Sequence, residues 1–275
     1  MYTNSNNKEI NLIIIGKPNS GKSTLFNKLL KDDISPTGET YGLTKELIIK
    51  NFLFKKNNFI LHDTPGLRRK NKVTEKEEEL RNKSVIKILG KIDAAILLID
   101  STENLTRQDF KIADTIIKRE KLLFLVFNKI DLVDEKINFK NKIKDYLNYR
   151  YSQSKEINLS FISALSGSKI LDLLNQIILK KKLCSTKIKK SQLNNFIKKL
   201  SKDTKLPKFR NIQIKPKYIV QIESNIPKFK IFINNKNKPP SLFIKYFDKE
   251  FRKYFFLNGI PIHMKFIRSD NPYVD

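Results

Sequence analysis

The sequence predicts an α/β fold: a main unit built on a mostly parallel sheet with helices on both faces, followed by a smaller α+β unit. Three observations predict it. Between residues 10 and about 180, strand-like apolar runs alternate with helix-like periodicity, the rhythm of parallel strands joined by crossover helices. Ala94–Ile99 and Leu122–Phe127 are apolar at nearly every position, as strands buried on both faces should be. Beyond residue 190 the order becomes helix, strand, strand, helix, strand, which suits helices packed on one face of a three-stranded sheet.

Taken in order, the apolar run Ile10, Leu12, Ile13, Ile14 and Ile15 reads as a strand that delivers the chain to Gly16-Lys17-Pro18-Asn19-Ser20-Gly21-Lys22-Ser23-Thr24. That segment fits the phosphate-loop pattern of Gly, four residues, Gly, Lys, Ser/Thr. The physics requires this order, because a glycine-rich turn at the start of a helix aims backbone N–H groups at a phosphate. Lys22 brings a point charge for the β- and γ-phosphates, and Ser23 a hydroxyl ligand for magnesium. Ser23–Leu30 reads as the helix, with Leu25, Phe26, Leu29 and Leu30 on its apolar side. Asp32–Thr44, punctuated by Pro36, Gly38 and Gly42, reads as a loop long enough to move.

Leu47–Phe54 is expected as a strand, Asn57-Asn58 as a turn, and Phe59–Leu61 as the next strand, ending at Asp63-Thr64-Pro65-Gly66. A carboxylate there, beside the phosphate loop, can hold a water on magnesium, while the Gly66 N–H can meet a γ-phosphate. A basic loop (Arg68, Arg69, Lys70, Lys72) and a helix opening on Glu75, Glu77, Glu78 and Glu79 follow, the acids lying where the helix dipole favours them. Further helices are expected over Gln108–Lys118, Phe139–Tyr149 and Ile170–Leu179, and a strand over Ile157–Phe161. Asn128-Lys129-Ile130-Asp131 closes the buried strand before it and carries the chemistry that chooses a base. Asp131 can accept two hydrogen bonds from the N1–H and exocyclic amine of guanine, which adenine does not offer in that arrangement. Asn128 can address the N7/O6 edge, and the Lys129 stem can lie along the ring. Ser163-Ala164-Leu165 ends the last strand, where the Ala164 N–H can reach O6. Asp63, Asp131 and Ser163 taken singly could equally be helix or turn caps. Together, each at the carboxyl end of a strand, they describe one pocket.

Composition narrows the setting. The 275 residues are 40% apolar, enough for one large or two modest cores. The formal charge is +27, and it is uneven: residues 1–180 carry +10 and residues 181–275 carry +17, with only 6 acids against 23 bases. Part of this reflects a chain crowded with Lys, Asn and Ile throughout. The scarcity of acids in the last third nevertheless marks a surface for polyanions, nucleic acid first. Lys187, Lys189, Lys190, Lys198, Lys199, Lys202, Lys205 and Lys208 can track a phosphate backbone or form an ordinary solvated face. Phe229, Phe232, Phe243, Phe247, Phe251, Phe255 and Phe266 recur at strand or helix spacing and read mostly as core. Cys184 is the only cysteine, so no intrachain disulfide forms. His62 and His263 lie far apart, without a zinc signature. Residues 1–9 are polar and read as a disordered leader. With no run of about 18 apolar residues, the expectation is a cytoplasmic protein, monomeric and with no membrane partner.

The four nucleotide segments resemble those of the translation-factor class of GTPases, and further pieces resemble the Der (EngA) family of bacterial ribosome-assembly GTPases. These are Gly42-Leu43-Thr44-Lys45-Glu46, Asp63-Thr64-Pro65-Gly66-Leu67-Arg68-Arg69-Lys70, Ser84-Val85-Ile86-Lys87, Phe161-Ile162-Ser163-Ala164-Leu165, Gly259-Ile260-Pro261-Ile262, Phe266 and Asn271-Pro272-Tyr273. The resemblance implies a P-loop GTPase domain over 10–181, a basic connector over 182–190 and a KH-like domain over 191–275. It implies GTP or GDP as ligand, magnesium, and action on the large ribosomal subunit or its precursor and on rRNA. By the same carry-over Thr44 is the switch threonine that reaches magnesium, although Thr37 and Thr40 are also placed to do so. Asn19 matches the asparagine that helps hold potassium in this family, or is a turn residue. Lys45-Glu46 stands where the family has Arg-Asp. Leu67 stands where many small GTPases carry a water-orienting glutamine, so slow intrinsic turnover is expected. The family has two successive G domains, and only one is present here, resembling the second. Two other readings compete. One is an Era-like RNA-binding GTPase, which should carry a glycine-rich clamp that this sequence lacks. The other is a passive RNA-binding scaffold with reduced activity, against which the intact Lys22, Ser23, Asp63 and Asp131 argue.

Overall fold

The computed structural model describes residues 8–31, 36–41, 48–63, 88–151, 157–202, 208–209, 212–223, 226–234 and 239–268. They fall into two compact units, one within residues 1–142 and 157–181, the other within 143–156 and 182–275.

The first unit is built on a seven-stranded sheet among the described residues. Its strands are β1 (Lys8–Ile15), β2 (Pro36–Tyr41), β3 (Ile48–Phe54), β4 (Asn57–Asp63), β5 (Ala94–Asp100), β6 (Leu122–Asn128) and β7 (Asn158–Phe161), in the order β2-β3-β4-β1-β5-β6-β7. β1 pairs parallel with β4 and β5, and β5, β6 and β7 continue the parallel set. β2 and β3 add an antiparallel margin. The apolar runs lie where their composition predicts: every residue of β5 and β6 is buried, and Leu12 and Ile13 of β1 are wholly inaccessible. The helices α1 (Lys22–Lys31) and α2 (Arg107–Lys118) lie wholly within this unit, whereas α3 (Lys136–Arg150) and α4 (Ile170–Cys184) begin in it and end in residues of the second.

Three expectations change. Residues 36–41 form β2 rather than part of a loop; an edge strand held through backbone pairing to β3, Thr40 opposite Ile49 and Tyr41 opposite Ile48, needs no apolar face of its own. The β3–β4 turn is Lys55-Lys56, at φ +45° and +62°, not Asn57-Asn58. Asn57 already belongs to β4, and its side-chain amide donates to the Lys55 carbonyl at 2.8 Å, closing a two-residue hairpin that sets Phe52 against Phe59 with stacked rings 4.9 Å apart. The helix from Ile170 continues past Leu179 to Cys184, since Cys184 extends the buried stripe of Ile170, Leu173, Leu174 and Ile177. The acidic helix expected from Glu75 lies outside the described residues, apart from buried Ile88 and Leu89 near its end.

The second unit has α5 (Lys190–Ser201), a two-residue ladder of β8 (Lys208–Phe209) with β9 (Ile212–Gln213), then β10 (Pro216–Glu223), β11 (Lys228–Ile233), α6 (Ser241–Phe255) and β12 (His263–Arg268). The first strand expected beyond residue 190 is thus divided, β9 ending at Gln213 and β10 beginning at Pro216. Its three-stranded sheet runs β10-β11-β12, antiparallel and then parallel. One face is filled with rings: Phe196 of α5 meets Phe247 and Phe251 of α6 at 5.5 and 5.3 Å, Phe229 meets Phe251 at 4.8 Å, and Phe266 meets Phe247 at 5.4 Å. Arg252 is buried there, bonded through Nε to both oxygens of Asp248 and through Nη1 to the carbonyls of Leu257 and Ile260. It pins the end of α6 to the turn at Gly259. Among the described residues no helix is long and apolar enough to cross a membrane.

Candidate nucleotide-binding site

The carboxyl ends of β1, β4, β6 and β7 lie along one edge of the first sheet, as the parallel registers require. β1 runs directly into the glycine-rich turn. Gly16 is there because a Cβ would stand 2.2 Å from the Leu98 carbonyl oxygen. Asn19 takes φ +64°, a conformation asparagine tolerates better than most residues. The turn is closed by Ser20 Oγ donating to the Lys17 carbonyl at 3.0 Å, and the Lys22 ammonium donates to the same carbonyl. Pro18, Asn19, Ser23 and Thr24 are exposed. Burial lowers the Lys22 ammonium from its ordinary 10.5 to about 8, since a charge leaving water without a counter-anion favours its neutral form.

Lys17 holds the turn from the other side. Its ammonium lies 2.8 Å from Oδ2 of Asp109, which is only 3% exposed. The same oxygen accepts the Thr106 N–H and hydroxyl, each at 2.8 Å, in a capping box at the start of α2. Asp109 therefore joins a helix start to the phosphate loop. Asp109→Ala is expected to lower stability by about 2–4 kcal/mol, since it orphans donors of which two belong to a helix cap. The midpoint of urea unfolding measures it, and an unchanged midpoint would remove Asp109 from the framework of the loop.

Asn128 is the tie between segments. It is 2% exposed; its Nδ2 donates to the Ser20 carbonyl at 2.9 Å, and its Oδ1 accepts the Ala164 N–H at 2.8 Å. The sequence expectation had Asn128 and Ala164 both facing the guanine edge. In this structure they bond to each other, and the asparagine amide closes on the phosphate loop. Lys129, at φ +61°, places its ammonium on Oδ2 of Asp100, which fixes the path of its stem. Burial raises the Asp100 carboxyl, but bonds from Lys129 and Thr102 outweigh it and hold it below the ordinary range. Asp131 is exposed on the short 3-10 turn Ile130–Leu132, anchored by Ile130 N–H to the Ile162 carbonyl at 3.2 Å. Ser163 is buried, its Oγ accepting the Ser166 N–H at 3.3 Å, and Leu165 is 79% exposed.

Asp63 ends β4, one residue beyond the pairing of Ile13 with His62, so its backbone lies beside the origin of the phosphate loop. Thr44, Lys45, Glu46, Gly66 and Leu67 lie outside the described residues. Among the described residues no three His, Cys, Asp or Glu side chains gather as a metal site; a magnesium ion between phosphates needs fewer protein ligands, and oxygen donors such as Ser23 and Asp63 are of the right kind. Sequence reasoning missed Asp100 and Asp109. Asp100 was legible as the carboxylate that closes a buried run, in register with Asn128.

Fold and site together define a P-loop nucleotide-binding α/β domain followed by a small KH-like α+β domain. Residues 11–129 match the family described as 50S ribosome-binding GTPase, and residues 187–266 the KH-domain-like C-terminal region of EngA bacterial GTPase enzymes. The chain is 33% identical over 268 residues to GTPase Der of Rickettsia peacockii (strain Rustic), and 32% over 268 to that of Rickettsia prowazekii (strain Madrid E). Each alignment covers 96% of this chain and 60% of the relative, so the chain spans about three-fifths of the length of the curated relatives it matches. Among solved structures it is similar to a variant of Aquifex aeolicus Era bound to GDP and aluminium fluoride, at 22% identity and TM-score 0.48, covering 97% of this chain and 95% of that one. The chain thus pairs a domain of the 50S ribosome-binding GTPase type with an EngA-type C-terminal KH-like domain, and over both it resembles the Der (EngA) GTPases.

Proposed function

We propose that this chain binds guanine nucleotides, hydrolyses GTP to GDP and phosphate, and uses that cycle as a switch in assembly of the large ribosomal subunit, where its basic domain meets rRNA. The GTPase domain would span residues 10–181 and the KH-like domain 191–275, joined through 182–190. One observation carries the nucleotide reading: Asn128, in the base-reading segment, is bonded both to the phosphate loop at Ser20 and to Ala164, so the three segments form one pocket edge. The ribosomal part is supported by the family descriptions of both matched regions. The EngA type of the second match favours this reading over an Era-like one.

The reaction is attack of water on the γ-phosphorus with loss of the bond to the β-γ bridging oxygen. Lys22 neutralises charge on the β- and γ-oxygens, and the amides following Gly16 cradle them. Magnesium, held by Ser23 and Asp63 with Thr44, would neutralise the same oxygens, and potassium at Asn19 would add a further positive charge. Leu67 neither orients nor deprotonates water, so turnover is slow until a partner supplies what is missing. GTP-driven rearrangement of residues 35–46 and 66–73 would be the output step that reports the nucleotide state.

Comparing GTP, GDP and ATP affinities tests the nucleotide reading. Preference for ATP would sink it, and absence of all binding would favour the passive scaffold. Co-sedimentation with 50S particles in GDP and in a non-hydrolysable GTP analogue tests the switch; equal binding would remove it. Equal turnover in K⁺ and Na⁺ buffers would remove the potassium.

Lys22 also makes affinity depend on pH. Without phosphate its ammonium loses its proton as pH rises through about 8, whereas a bound polyphosphate favours the charged form. Nucleotide affinity should therefore be flat below pH 8 and fall by up to about tenfold per unit above it. Calorimetry at pH 7 and 9 reads this, with Lys22→Arg as the control, since arginine keeps its charge. A wild-type affinity as insensitive to pH as that of the arginine variant would show that Lys22 stays charged.

A further inference from the structure

The second unit's sheet has one face packed against helices, and among the described residues the side chains of the other face are part-exposed or exposed. Strand alternation places Phe229, Ile231 and Ile233 in the core, and so turns Phe232 and Lys230 to the opposite face. There Phe232 lies opposite Tyr218 in register, and the two rings stack with centroids 4.0 Å apart and planes 16° from parallel. Tyr218 and Val220 are each 41% exposed and Ile222 56%, so the pair sits in a partly apolar, accessible patch. β10 is an edge strand of this sheet. Lys230 is opposite Val220 on one side and Lys265 on the other. The described acid beside these strands, Glu223, is paired with Lys228 at 2.9 Å. The last third of the chain carries +17.

An aromatic stack flanked by lysines on an open sheet is the chemistry that takes single-stranded nucleic acid: a base extends the stack whatever its identity, and the lysines meet the phosphates on either side. A protein partner would be served by the apolar residues but not by adjacent like charges, since Lys230 and Lys265 oppose each other across two strands. We propose that this sheet face, centred on Tyr218 and Phe232 with Lys230 and Lys265, is the single-stranded RNA contact of the domain. The exposed lysines at 187, 189, 190, 198 and 199 add diffuse attraction only. The proposal rests on the RNA-binding part of the function above and names its site.

The chain contains no tryptophan, so Tyr218→Trp in the full chain introduces a single indole at the stack, which can be excited selectively over the tyrosines. Titration with an unstructured 12-nucleotide RNA is expected to quench that emission, while a duplex of equal length quenches it far less. Lys230→Glu with Lys265→Glu should weaken the same RNA by at least tenfold and flatten the dependence of affinity on salt, leaving GDP affinity unchanged. Lys198→Glu with Lys199→Glu should weaken it only a few-fold. RNA binding without quenching, or equal weakening by the two charge reversals, would overturn the proposal while leaving an RNA-binding protein. No RNA binding by the wild-type chain at low salt, with GDP binding intact, would overturn both this site and the RNA part of the function. Self-association abolished by Ile222→Lys would overturn it in favour of an interface between copies.

Discussion

Asp131→Asn is expected to lower affinity for GDP and GTP by roughly two to four powers of ten and to create affinity for xanthine nucleotides. On the proposed reading the carboxylate accepts from both the N1–H and the exocyclic amine of guanine. An amide can accept at one oxygen only and turns an N–H donor toward the other, so one charge-assisted bond is lost and a donor faces a donor. Xanthine carries a carbonyl where guanine has the amine and accepts that donor. The side chain is exposed and the turn beneath it is held by backbone bonds from Ile130 to Ile162 and Leu132 to Lys129, so the melting temperature should not move. Competition binding of GDP and XDP against a fluorescent nucleotide measures both arms. Unchanged preference for guanine would mean that Asp131 does not read the base, and with that the nucleotide assignment would lose its specificity.

Gly21→Ala should abolish nucleotide binding and cost about 2–5 kcal/mol of stability, from left-handed strain and overpacking together. Gly21 sits at φ +92°, and an added Cβ would lie 2.2 Å from Asn128 Nδ2. That amide cannot retreat without breaking its bonds to Ser20 and Ala164, so the loop must open or the tie must break. Urea unfolding and GDP titration read the two effects. Adding Asn128→Ala should recover part of the lost stability, because the steric partner is removed, yet none of the binding. A double variant no more stable than Gly21→Ala alone would show that strain at φ +92° dominates and that Asn128 is not the obstacle.

Much of the first sheet was legible because β1, β5 and β6 are buried on both faces and announce themselves by composition alone. The motif segments were legible because their chemistry lies within a few neighbouring residues. β2 was hidden for the opposite reason: an edge strand paired through its backbone leaves no pattern in its side chains. The hairpin turn was misplaced because Asn-Asn is the better turn former by propensity, whereas the register of Phe52 with Phe59 assigns the turn to Lys55-Lys56. Phe232 was grouped with core phenylalanines, although its spacing of three from Phe229 already sends it to the other face of a strand.

The sequence by itself determined which runs become strands, that a phosphate cradle follows the first of them, and that the residue types at Asn128 to Asp131 suit guanine. The tertiary structure alone decided which groups hold that pocket in shape: Asn128 reaching Ser20 across 108 residues of chain, Lys17 on Asp109, Lys129 on Asp100, and an aromatic pair on the open side of the second sheet. The division has a physical reason. Strand burial and turn chemistry depend on near neighbours, whereas a contact between distant residues exists only once strand order and register have set their positions, and a buried polar group must then find its partner among whatever that arrangement brings within reach.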